Sequence, residues 1–184
     1  MNGKTAKASV RLRAMEPEDL DLLYRIENDQ ALWAVGSTNV PYSRYALHDY
    51  MANASGDIYA DHQVRLMVEN AQGQVVGIAD VVNFDAKNRR AELGLVVEKP
   101  YRRQGYAQQA VERLVDYSLG VLHLHQLYVC IAADNDASIA LFRKFGFNTL
   151  ATLPDWLYDG RCYHDAFLMQ LILDKDEPAK MDAP

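Results

Sequence analysis

The stretch VVEKPYRRQGYAQQAV (96–111) joins an apolar run to a helical pattern through a basic loop holding one glycine. The first turn of a helix offers unpaired N–H groups and the positive end of its dipole, a place that binds phosphate or pyrophosphate. Gly105 would let the backbone approach such an anion closely, Ala107 keeps the contact free of bulk, and Arg102 and Arg103 add charge. A capped surface helix with two solvated arginines would look the same, and neither the phosphate-loop spacing nor G-x-G-x-x-G is present. Charge is unevenly spread along the chain. Residues 14–62 carry two cations and nine anions, whereas residues 87–103 carry six cations and two anions. Two ligands of opposite charge would suit this division; two solvated surfaces are the plainer alternative.

The elements that must position these residues follow from periodicity. The 184 residues are 49% hydrophobic and 24% charged, with a formal net charge of −6. Such a chain forms one globular domain able to bury its own core, and the acidic balance argues against nucleic acid. No apolar run of about 18 residues occurs, so no membrane span is expected, and the absence of a secretory pattern suggests a cytoplasmic chain. Cys130 and Cys162 are too few for a disulfide framework and lack metal-ligand spacing, so no metal is expected. We read residues 1–8 as a flexible start, 9–173 as the domain and 174–184 as a disordered tail. Within the domain, VRLRA (10–14) alternates as a short strand, and 17–29 is an amphipathic helix opened by Pro17. A second helix starts at a Ser43 cap and closes at Gly56. Period-two patterning over 64–69, 75–84 and 90–98 gives an antiparallel meander. A helix over 104–120, a buried-type strand over 124–132, a helix from Asn135 or Asp136 to Gly146, and strands over 147–153 and 163–173 around a DWLYDG turn (155–160) complete it. The class is α/β, with a mixed, mostly antiparallel central sheet flanked by helices and a strand–helix–strand crossover at its centre.

RRQGYA (102–107) fits [QR]-x-x-G-x-[GA], and ADNDASIALFRKFGF (133–147) fits N-x-x-[SA]-x-x-[LIV]-[YF]-x-[KR]-x-G-F. In both motifs and in element order the chain resembles the Gcn5-related N-acetyltransferase (GNAT) family, and within it the spermidine and ribosomal-protein N-acetyltransferase branch. The resemblance implies acetyl-CoA as co-substrate and a splayed central strand pair near Leu95–Val97, where pantetheine lies as an extra strand. It implies pyrophosphate on the backbone amides from Arg103 through Gln104, Gly105 and Tyr106 to Ala107, with Arg102 close by. A backbone N–H near Leu95 or Val96 would stabilise the oxyanion, and Val97 would line the same channel. Asn135 would bond the pantetheine arm or simply cap its helix. Ser138 and Phe142 would line the channel, and Arg143 or Lys144 would approach the nucleotide phosphates or remain solvated.

An ammonium group must lose a proton before it attacks a carbonyl, and a carboxylate is the usual base. Glu92 is the main candidate, weighed against a surface pairing with Arg65 or Arg90. Where many relatives place a tyrosine that protonates the leaving thiolate, this chain has Phe142; Tyr128, Tyr163 or water could replace it. Glu27, Trp33 and Asp80 are the candidates for holding a cationic amine, with Tyr42, Tyr45 and Tyr50 as further cation–π faces. His164 beside Asp165 looks like an acid–base pair, but strand neighbours point to opposite faces. Neither cysteine occupies a nucleophile-like position, so direct transfer in a ternary complex is expected. The acceptor would be a small-molecule or peptide amine, such as a polyamine, and the chain a homodimer. A non-catalytic acyl-CoA sensor, prompted by Phe142, and transfer of a longer acyl group or to a hydroxyl are the alternatives.

Overall fold

The alternating runs of the sequence become the strands of a single sheet, seen in a computed structural model that describes residues 9–33 and 40–173. The strands are β1 (Val10–Arg13), β2 (Val64–Asn70), β3 (Val75–Asp85), β4 (Arg90–Val97), β5 (Gln126–Ala132), β6 (Asn148–Tyr158) and β7 (Tyr163–Ile172), ordered β1-β2-β3-β4-β5-β7-β6. All neighbours are antiparallel except β4 and β5, which run parallel. Short turns join β2 to β3, β3 to β4 and β6 to β7, a longer segment containing helices, residues 14–63, leads from β1 to β2, and the parallel pair is joined by the crossover helix α5 (Tyr106–Gly120).

The remaining helices are α1 (Leu20–Glu27), α2 (Gln30–Trp33), α3 (Arg44–Ala52), α4 (Ile58–Asp61) and α6 (Asp136–Lys144). One face of the sheet packs on α5 and α6 around Val81, Leu93, Leu114, Leu127 and Phe147. The other packs on α1 and α3 around Leu23, Leu47, Met67 and Ile78. Side chains alternate across each strand, so this division decides which residues can meet. Arg65, Asp80, Glu92 and Tyr128 fall on the α1 face through the pairs Arg65–Asp80, Asp80–Gly94 and Glu92–Tyr128.

Several expectations change. The helix expected over 17–29 is a single 3-10 turn, Pro17–Asp19, followed by α1. Asp19 is buried and accepts two bonds from the Arg13 guanidinium, at 2.7 and 2.9 Å, so its carboxylate answers to β1. The Ser43 cap forms as expected, accepting from the Ala46 amide at 3.0 Å, but α3 ends at Ala52 and Gly56 lies in the following loop. DWLY is not a turn: β6 runs on to Tyr158, bent by a register shift between Leu153 and Leu157, and the reversal falls at residues 159–162. The segments read as a flexible start (1–8) and a disordered tail (174–184) lie outside the described residues.

Candidate active site

Strands β4 and β5 pair only from Arg90 to Glu92 and from Gln126 to Tyr128. Beyond Glu92 they diverge, so the splay begins two residues before the expected stretch. The opening is a cavity of about 570 Å³ lined by Glu92–Val96 of β4, Val129–Ala132 of β5 and Asn135, Ser138 and Phe142 from α6 and its cap. A second cavity of about 370 Å³ adjoins it at Val96 and leads past Val97 to Arg102.

Backbone direction decides which amide faces this gap. The Val96 carbonyl oxygen lies 2.1 Å from where a Cβ on Gly77 would stand, and the Glu98 amide donates to Val76 at 2.9 Å. Backbone groups alternate sides along a strand, so Val96 turns to β3, and Leu95 and Val97 turn to the gap. Of the two oxyanion donors considered, Leu95 therefore has the orientation and Val96 does not. The side chain of Val96 still lines both cavities.

The loop before α5 presents a run of free backbone amides. Arg103 and Gly105 both have left-handed backbone, with φ of 61° and 88°. Among the described residues, the amides of Arg103, Gln104, Gly105, Tyr106 and Ala107 have no hydrogen-bond acceptor. Successive free N–H groups in such a turn form an anion-binding concavity at the helix N-terminus. Two expected ligand side chains hold the loop itself: Arg102 donates through Nε to Val97 at 2.9 Å, and Gln104 donates to Pro100 at 2.8 Å. Asn135 accepts the Ser138 amide at 3.1 Å and so caps α6 while facing the gap. Arg143 and Lys144 are exposed and line neither cavity.

At the other end of the gap Glu27, Trp33, Asp80 and Glu92 come together as candidates, with Arg65 among them. Arg65 forms a two-pronged pair with Asp80, at 2.8 and 3.0 Å, and also binds Glu27. Burial pushes the guanidinium pKa down, but the charge and hydrogen bonds of Asp80 and the charge of Glu27 more than reverse this and keep it protonated. Glu92 does not pair with Arg65 or Arg90. Its carboxylate accepts from the Asn83 side chain at 2.8 Å, while Arg90 pairs with Asp85 at 3.3 Å. Three carboxylates and one guanidinium leave the pocket a formal charge of −2. Tyr42 and Tyr45 are exposed, and Tyr50 packs beside the Arg65 guanidinium, 5.9 Å from its ring centre. Of the four aromatic candidates only Trp33 lines the gap, its indole N–H held by the Glu27 carbonyl at 2.9 Å.

An acetyltransferase (GNAT) domain model matches residues 9–148. The chain belongs to the GNAT family. It is 27% identical over 165 residues to the spermidine N(1)-acetyltransferase of Escherichia coli K12, covering 88% of this chain and 84% of that one. The crystal structure of the Vibrio cholerae spermidine N-acetyltransferase with CoA and spermine superposes with a TM-score of 0.81 at 24% identity, over 90% of this chain and 96% of that one. A dodecameric structure of the Vibrio enzyme superposes with a TM-score of 0.75 at 24% identity, over 90% and 94%. These two likenesses establish the fold, and the family carries acetyl-CoA-dependent N-acetyl transfer.

The residues present fit a coenzyme A thioester: free amides at α5, an edge of β4 beyond Glu92 that pairs with no strand on the gap side, and an adjoining channel. As a GNAT domain the chain departs at Phe142, which is buried and packs edge-on against Phe147 at 5.1 Å between ring centres. Tyr163 is exposed at the hairpin tip, stacked with Tyr158. Tyr128 stands opposite Glu92; burial and then the Glu92 charge raise its hydroxyl pKa, leaving it a protonated acid at neutral pH. Burial and Glu92 also raise the Cys130 thiol, keeping it unreactive as a thiolate. Sequence reading missed Asn83 as the partner of Glu92 and Arg65 as the clamp on the acids. The only local signal for Asn83 was an asparagine inside an apolar strand, where it takes left-handed backbone (φ 51°) at a register shift between Val82 and Asp85.

Proposed function

We propose that this GNAT domain acetylates a cationic primary amine of the polyamine class by direct attack within a ternary complex. The observation that carries this is a run of free helix-start amides directly after Arg102, where the adjoining channel ends, together with a pocket of net charge −2 with Trp33 in the gap itself. The amides of residues 103–107 hold the pyrophosphate, and the Leu95 amide donates to the thioester oxygen as negative charge develops there. Glu92, kept in place by Asn83, takes the ammonium proton directly or through a water. The freed nitrogen forms its bond to the acetyl carbon, and the bond to sulfur breaks. The sulfur leaves as a thiolate of moderate basicity, a thiol pKa being about 8.5, so Phe142 does not stop the reaction. Tyr128 or water protonates the thiolate, and the second proton of the acylated nitrogen restores that donor, leaving the neutral amide.

The test is release of free thiol from acetyl-CoA with a panel of amines. Turnover should favour spermine and spermidine over neutral or acidic amines. Binding of acetyl-CoA without turnover on any amine would replace the enzyme with the acyl-CoA sensor that Phe142 prompted. Assembly into at least a homodimer belongs to the same proposal and is supported by the dodecameric relative; a monomer mass by light scattering removes it. Among the described residues no helix is long and apolar enough to cross a membrane, and a cytoplasmic location is likewise part of this proposal.

A further inference from the structure

The reversal between β6 and β7 gathers three side chains that the transfer reaction does not use. Asp159 Oδ2, Cys162 Sγ and His164 Nε2 are separated by 2.8 Å (His164 to Asp159), 3.3 Å (His164 to Cys162) and 3.6 Å (Cys162 to Asp159). Among the described residues this is the one group of three His, Cys, Asp or Glu side chains whose ligand atoms converge. A triangle of these edges has a point about 2 Å from every corner, the distance at which zinc binds nitrogen, oxygen and, slightly further out, sulfur.

A proton relay is the competing use of a thiol, an imidazole and a carboxylate. In a relay the two ring nitrogens face different partners, one the thiol and the other the carboxylate. Here both partners meet the same nitrogen, Nε2. That geometry suits a shared central cation and does not suit proton transfer along a line. The carboxylate is also pre-aimed: its other oxygen accepts the amides of Arg161 at 2.7 Å and Cys162 at 2.9 Å, leaving Oδ2 turned to the other two. Anchoring of a ligand by such outer hydrogen bonds is what holds metal sites in register.

We propose that Asp159, Cys162 and His164 form a binding site for a divalent cation of the zinc class, with a fourth position open to water. One sulfur, one nitrogen and one oxygen ligand select a borderline-soft ion over magnesium or calcium. The site lies on the α1 face of the sheet, because His164 stands opposite Leu157, which lines the gap. An ion there ties the hairpin closed beside the mouth of the gap and plays no part in the chemistry of transfer. The absence of paired-cysteine spacing does not bear on it, since the ligand set is mixed and drawn from a D-x-x-C-x-H run.

The experiment uses the untagged full chain, reduced, with Co²⁺ as a spectroscopic probe. One equivalent should give a thiolate-to-cobalt charge-transfer band in the near ultraviolet and intense visible bands of tetrahedral cobalt, both bleached by Zn²⁺. Cys162→Ser should abolish the charge-transfer band, and His164→Ala should weaken binding at least tenfold. Both changes are at an exposed tip, and an unchanged far-ultraviolet spectrum and melting temperature will show that the fold is intact. Weak, octahedral-type cobalt bands, or equal affinity in the parent and both variants, overturn the proposal.

Discussion

Glu92 shares one face of the sheet with Asp80 and Arg65, and it alone of the pocket acids is bound to a neutral partner, the Asn83 amide, rather than to a guanidinium. That leaves it the carboxylate best placed to accept a proton. Glu92→Gln should lower kcat by about 10²- to 10⁴-fold, the usual worth of a general base, and leave the acetyl-CoA affinity nearly unchanged. Steady-state thiol release and calorimetry separate the two; unaltered kcat removes Glu92 from the role. Glu27 is different, since it serves the charge of the pocket. Glu27→Gln reduces the pocket from −2 to −1 and should raise KM for a polyamine roughly tenfold, about 1.4 kcal/mol, with a small effect on kcat. No change in KM would mean that Arg65 already neutralises Glu27 completely.

At the level of elements, the site depends on two close backbone approaches. Gly105 begins α5 with φ of 88°, a conformation that a β-branched residue adopts only under strain of about 1–3 kcal/mol. Gly105→Val should relieve that strain by moving the free amides, weakening acetyl-CoA binding at least tenfold while melting shifts little. Calorimetric titration decides, and parent-like affinity would take the pyrophosphate away from this loop. Gly77 is the second. A Cβ there meets the Val96 carbonyl at 2.1 Å, so Gly77→Ala must push β3 and β4 apart. We expect a loss of about 1–3 kcal/mol in chemical denaturation, as for overpacking, together with a fall in kcat because the Leu95 amide moves with β4.

For the molecule as a whole, a buried ion pair contributes to acid sensitivity, alongside the lowered carboxylates of Glu69, Asp85 and Asp159. Burial raises the pKa of Asp19, but the hydrogen bonds from Arg13 and the Glu16 amide, with the charge of Arg13, bring it below the ordinary carboxylate value. A group whose pKa is depressed by folding stabilises the fold above its unfolded pKa, and that stabilisation is lost as pH falls through the folded value. Below about pH 4, the unfolded carboxylate range, denaturation midpoints should therefore drop, and Asp19→Asn should flatten the drop. An equally steep fall in that variant would place the acid-sensitive group elsewhere.

Most of the elements, and the glycine and arginines of the loop before α5, were legible in the chain because they rest on local rules. Period-two runs made β2, β3 and β4, Ser43 capped α3, and RRQGYA set the glycine and the arginines at the start of α5. Glu27, Trp33, Asp80 and Glu92 could also be named as separate candidates by residue type and position. Their relations could not. That Arg65 clamps Asp80 and Glu27, that Asn83 holds Glu92, and that Leu95 rather than Val96 turns to the gap all depend on strand register and bulges. Register joins residues remote in the chain, and a shift of one position reverses every side chain and amide. Local composition carries no trace of that choice; it is settled only when the two faces of the sheet pack against their helices.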